Sequence, residues 1–207
     1  MEIYAPKFIL ELGVGEYSTS TFFQYDFDKY IGIENDFEWY NLISDRYKEK
    51  DKCEFIYHDL GKNIINATFL KELSKEQISN IEQYYIQLSN KLLNNNISPK
   101  VLFVDNYTCC RALAINTLYQ YFDIIIYHDC EPAAITWYEY CFKKDLIYNY
   151  NNYYYKTSGA WTGFFLSNKL EQDIAKIVNV INIQGTEFCQ RFKIPISNFG
   201  LERKDPC

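Results

Sequence analysis

Short apolar runs alternate with amphipathic stretches along this chain. Runs at 9–12, 30–33, 53–57, 101–104 and 124–127 have the length and composition of buried strands, and each gives way to polar or glycine residues. The intervals 19–27 and 37–47 read as helices. Strands alternating with helices predict an α/β fold, a mostly parallel sheet with helices on both faces. Two segments depart from the simplest repeat. Residues 60–99 are longer than one crossover needs, and they hold a helix start at Ser74-Lys75-Glu76-Gln77. Ile78, Ile81, Tyr85, Leu88 and Leu92 then follow helical spacing up to Asn94-Asn95-Asn96, which predicts a helical insertion between strands three and four. Beyond Asp145, the stretches 146–156 and 160–166 flank Thr157-Ser158-Gly159 as an antiparallel pair. Residues 170–183 are helical through Ile174, Ile177, Val178 and Ile181. Pro195, Gly200 and Pro206 predict an irregular tail over 184–207. No linker interrupts the pattern, so 1–207 reads as one domain.

Composition narrows the function classes. Hydrophobic residues are 48% and charged residues 23% of 207, an ordinary globular balance. A formal net charge of −6, with Lys and Arg scattered, argues against a surface that grips nucleic acid. The seven cysteines do not form a disulfide framework: the count is odd, no C-x-x-C occurs and Cys109-Cys110 are adjacent. Cys130 and Cys141 fall in a strand end and a helix, where thiols pack as small hydrophobes. A reducing compartment follows, the cytosol of a cell or of a virus-infected host, with no signal segment and no membrane span expected.

The candidate chemistry collects at strand ends. In open α/β sheets ligands lie across the carboxyl ends of the strands, and here those ends carry Gly13, Glu34, Asp59, Asp105 and His128-Asp129. Glu11-Leu12-Gly13-Val14-Gly15 reads as a strand entering a tight turn, where glycine lets the backbone approach a ligand. Ser18 or Thr19 is placed to cap the following helix. Glu34 lies about 20 residues beyond, where a carboxylate can accept both hydrogen bonds of a ribose diol. The dinucleotide fingerprint would place a third glycine where Ser18 stands.

Glu11-Leu12-Gly13-Val14-Gly15, followed by Gly32-Ile33-Glu34-Asn35-Asp36-Phe37-Glu38-Trp39, resembles class I S-adenosylmethionine-dependent methyltransferases. The likeness is nearest to the glucuronoxylan 4-O-methyltransferase-like group of sugar O-methyltransferases, and covers 9–166. It implies a Rossmann-like, mostly parallel seven-stranded sheet with an antiparallel edge strand. It also implies S-adenosyl-L-methionine as cofactor. Gly13 and Gly15 would hold the methionine end with Glu11 and Ser18 as helpers, Glu34 the ribose, and Asp59 the adenine amino group, with Asn35 also among the cofactor-binding residues.

The resemblance sets Asp105, in Phe103-Val104-Asp105-Asn106-Tyr107, nearest the sulfonium and the acceptor. The planar fork of Arg111 suits a carboxylate, whether of a uronic acid, of the cofactor, or of Asp105 or Asp129 in a structural pairing. An alcohol must lose its proton as the methyl arrives, and His128 or Asp129 is the expected base. Asp105, Asn106 and Asp129 could hold a divalent metal, which the sequence leaves unassigned. The expected activity is O-methylation of a sugar or glycan hydroxyl by in-line displacement. Methylation of a protein or another small molecule, a nicotinamide-dependent oxidoreductase and a catalytically silent binding module stay open. Asp105-Asn106-Tyr107-Thr108 lacks the paired prolines of DNA amino-methylating enzymes, which with the acidic balance sets nucleic acid low. Oligomeric state is not legible.

Overall fold

Apolar side chains on both sides of the first strand decide the layering. In the computed structural model, which describes residues 6–61, 64, 66–93, 95–130, 142–156, 161–192 and 200–203, strand β1 (Phe8–Leu12) is buried throughout. For 184–192 and 200–203 only the backbone is described. Phe8, Leu10 and Leu12 join the large core, whereas Ile9 turns to a second cluster with Phe27 and Tyr30. Strand β2 (Lys29–Glu34) divides likewise, Tyr30 to the small cluster and Ile31 and Ile33 to the large one. Successive strand residues point to opposite faces, so a run apolar at every position needs cover on both.

The remaining strands are β3 (Cys53–Tyr57), β4 (Lys100–Val104), β5 (Ile124–His128), β6 (Tyr150–Lys156), β7 (Thr162–Ser167) and β8 (Gly200–Arg203), in the order β3-β2-β1-β4-β5-β7-β6-β8. β1 to β5 are parallel, and β7 runs antiparallel between β5 and β6. The Rossmann-like, doubly wound class expected from the sequence is the one observed, extended by an eighth strand that pairs with β6. The order reverses between β1 and β4, which opens a crevice at their carboxyl ends.

Helix α1 (Glu16–Phe22) begins directly after Gly15 and ends before Phe23, displaced from the expected 19–27. Ser18 and Thr19 donate to the buried Glu11 carboxylate instead of capping the helix. α2 (Phe37–Arg46) starts at Asp36, whose side chain accepts from the Trp39 amide at 2.8 Å. α3 (Lys75–Leu92) starts as expected, with Ser74 and Gln77 satisfying each other's backbone amides. It buries Ile81, Tyr85 and Leu88 and packs on α4 (Thr108–Leu118), itself buried along almost its whole length. α5 (Lys144–Asn149) occupies the start of a stretch expected as strand. The tail expected to be irregular instead continues as α6 (Glu171–Phe192) and returns as β8. Gly200 opens β8, and Pro195 and Pro206 lie outside the described residues.

Parallel and antiparallel halves meet where Tyr127 on β5 faces Gly163 on β7. A Cβ at Gly163 would come within 2.1 Å of the Tyr127 ring, which stacks on Phe165 instead. Among the described residues Cys53, Cys109 and Cys110 are free thiols, Cys130 is buried in the core, and Cys141 lies outside them. No helix of the described residues is long and apolar enough to cross a membrane.

Candidate active site

The glycine loop is held from below by a buried acid. Glu11 has no exposed surface; it accepts from the Ser18 hydroxyl at 2.5 Å, the Thr19 hydroxyl at 2.9 Å and the Tyr30 hydroxyl. Burial lifts its carboxyl to about 7, against the lowering effect of those donors. Glu11 therefore lies under the loop rather than in the crevice. Gly13 adopts φ +83°, and a Cβ there would sit 2.5 Å from the Asp105 carbonyl oxygen. The loop thus rests on the end of β4, a contact only glycine allows. The Trp39 indole Nε1 donates to the Val14 carbonyl at 2.6 Å and fixes the loop from the other side.

Glu34, at the end of β2, accepts from the Asn35 and Asp36 amides at 2.7 and 2.9 Å. Burial raises its pKa while these amides lower it. Asn35 donates to the His58 carbonyl at 2.7 Å and ties the ends of β2 and β3 together. A cavity of about 360 Å³ opens between these groups and the start of α4. Gly13, Val14, Gly15, Glu34, Asn35 and Trp39 line one end, and Asp105, Asn106, Tyr107, Thr108 and Arg111 the other.

At that second end a charge cluster joins β4, β5 and α4. Arg111 donates to Asp105 Oδ1 and Asp129 Oδ2, both at 2.8 Å, and to the carbonyls of Asn106 at 2.7 Å and His128 at 3.0 Å. The pairing with Asp105 and Asp129, one of the arrangements open from sequence, is the one present. His128 Nδ1 lies 3.0 Å from Asp129 Oδ1 and 3.6 Å from Asp105 Oδ1. Burial raises the Asp105 pKa, with Arg111 pulling the other way. Asp129 adopts φ 53°, a left-handed conformation that non-glycine residues reach at a cost.

Asp59 lies elsewhere. Its carboxylate accepts from the Gly61 amide at 2.7 Å, and it lines a separate cavity of about 380 Å³ with His58, Leu60, Ile64, Gln77 and Asn80. The two cavities share no lining residue. His58 stacks on Tyr84 at 3.5 Å, which separates this His-Asp dipeptide in role from His128-Asp129. Ser18 is engaged with Glu11 and does not line the first cavity. Trp39, Tyr107 and Thr108 line it without having been assigned a role from sequence; the N-cap Asp36 three residues before Trp39 was the available signal.

Asp105, His128 and Asp129 each offer a metal-ligand atom, all within 4.8 Å of one another. Asn106 stands beside this group; its Nδ2 donates to the Tyr85 hydroxyl at 2.9 Å, which leaves its buried Oδ1, the atom a metal would take, without a partner among the described residues. Arg111 already takes an oxygen of each carboxylate, so the cluster has a resident cation.

No family model and no curated protein matches the chain. Solved structures that resemble it include a methyltransferase-like protein from Silicibacter pomeroyi, at 15% identity and TM-score 0.47, covering 80% of each chain. An O-methyltransferase from Bacillus cereus in complex with SAH aligns at 12% identity and TM-score 0.48, covering 79% of this chain and 75% of its own. An rRNA methylase from Streptococcus thermophilus aligns at 10% identity and TM-score 0.47, covering 79% and 87%. These likenesses concern chain path alone.

Proposed function

We propose that the chain transfers the methyl group of S-adenosylmethionine to an alcohol, a sugar or glycan hydroxyl in the first instance. One observation carries the reading: a single cavity is lined by the glycine loop and Glu34 at one end and by Asp105 and Arg111 at the other, and behind these two stand Asp129, bonded to Arg111, and His128, 3.6 Å from Asp105. The residues fit the cofactor. The glycine loop of 13–15 gives its methionine end a close approach to backbone, Glu34 suits its ribose diol, and the carboxylates of Asp105 and Asp129 suit a positive sulfur.

The cofactor supplies an electrophilic methyl on a sulfonium that leaves as a neutral thioether. The chain supplies the rest. The acceptor hydroxyl attacks in line, the oxygen–carbon bond forms as the sulfur–carbon bond breaks, and the hydroxyl proton passes to His128. His128 Nδ1 lies 3.0 Å from Asp129 Oδ1, so a proton kept on Nδ1 faces a carboxylate and Nε2 is the atom assigned as base. Arg111 fixes both carboxylates and the His128 carbonyl, so the imidazole is positioned by three elements at once.

Calorimetry should show S-adenosylhomocysteine binding, weakened in Glu34→Ala by about 1.5–3 kcal/mol for each charge-assisted hydrogen bond lost. No binding at millimolar ligand refutes the reading. Once an acceptor is found, His128→Gln should lower turnover about 10²-fold or more with S-adenosylhomocysteine affinity unchanged. Full turnover in that variant would remove His128 from the chemistry.

A further inference from the structure

We infer that the acceptor end of this cavity takes an uncharged or positively charged group and turns away carboxylates and phosphates. The inference rests on the methyl-transfer reading and specifies its acceptor. It departs from the uronic acid that Arg111 suggested in the sequence.

A site for an anion needs a cation with donors turned towards it. Arg111 is the one basic side chain among the described residues lining the cavity. It is 5% exposed, and its guanidinium is drawn to Asp105, Asp129 and two backbone carbonyls. Two carboxylates share this one guanidinium. With His128 neutral, as a base must be, the cluster retains one negative charge, and Glu34 adds another at the far end of the same cavity.

Like charges a few ångströms apart in a half-buried site change occupancy by about tenfold or more. A uronate or phosphate beside the reacting atom would meet that repulsion with no guanidinium turned to receive it. A sulfonium, or the ammonium form of an amine, meets attraction at the same place. A neutral hydroxyl pays neither penalty and still finds acceptors in the acids and in His128.

The test uses the full chain and two cofactor analogues that differ in charge at the reacting position. Sinefungin carries an ammonium group where S-adenosylmethionine carries its methylsulfonium; S-adenosylhomocysteine carries a neutral thioether. By calorimetry at low ionic strength, sinefungin should bind about tenfold more tightly. Asp129→Asn should bring the ratio of the two affinities towards one. Asp105→Asn serves the same comparison if Asp129→Asn fails to fold, and S-adenosylhomocysteine binding certifies each variant. Equal affinities in the wild type, or a ratio indifferent to both variants, overturn the inference and leave the cofactor reading standing. If neither ligand binds, both fall together. In a second arm, glucuronate and glucose are added while S-adenosylhomocysteine affinity is measured. Glucuronate should leave that affinity unchanged or weaken it; tightening by glucuronate would seat an anion beside the cofactor and overturn the exclusion.

Discussion

Glu11 does the work of a structural bolt with a group that would rather be ionised in water. No solvent reaches it, and this burial outweighs the three hydroxyl donors that favour the ionised form, so its carboxyl sits at about 7 instead of 4.5. The direction of the linkage follows. Below about pH 4.5 both folded and unfolded chains hold the proton, and the group is neutral to stability. Between 4.5 and 7 the unfolded chain releases its proton first, so rising pH progressively opposes folding; above 7 the cost is complete. At about 1.4 kcal/mol per pKa unit the cost is on the order of 3 kcal/mol. Denaturant melts of wild type and Glu11→Gln, compared at about pH 5 and about pH 8, should show the wild type losing ground to the variant by that order. A difference that does not move with pH would show that the carboxyl titrates normally. Sequence showed the acid and its place before the glycines, but not that Tyr30 and Thr19 reach it from other elements. That contact is tertiary, and no local pattern encodes it.

At the scale of elements, the loop between β1 and α1 is set by α2 as much as by its own glycines. Asp36 starts α2, and the helix then presents the Trp39 indole to the Val14 carbonyl at 2.6 Å. Trp39→Phe keeps the ring and removes the donor. It should weaken S-adenosylhomocysteine binding by about 1 kcal/mol, a several-fold change in Kd by calorimetry, with the melting temperature nearly unmoved. Unaltered affinity would mean that the glycines alone hold the loop. The five parallel strands were legible because strands covered on both faces are apolar at nearly every position. The start of α1 was not, since Ser18 and Thr19 look like caps until Glu11 claims them. Asp59 was read as part of the cofactor crevice by its strand-end position, yet the turn to Gly61 draws it to the neighbouring cavity. Periodicity places strand ends; it does not say which way the turn beyond them goes.

Across the whole molecule, the sheet ends differently on its two sides. β3 closes one edge, while β6 is covered by β8 through pairings from Tyr153–Arg203 to Lys156–Gly200. Removal of 200–207 would leave the outer edge of β6 unpaired along those residues, while β7 still covers its inner edge, and the exposed edge is a template for other chains. The shortened protein should self-associate, visible as a concentration-dependent rise in light scattering, and a monodisperse product would show that the edge is protected in another way. The seam between parallel and antiparallel halves carries a different constraint. With the Tyr127 ring filling the room a side chain at 163 would take, the two positions are free to vary only as a couple. Any lineage that enlarges one must first or simultaneously shrink the other, so in distant descendants of this chain bulk should trade places across the seam while the sum of the two volumes stays level.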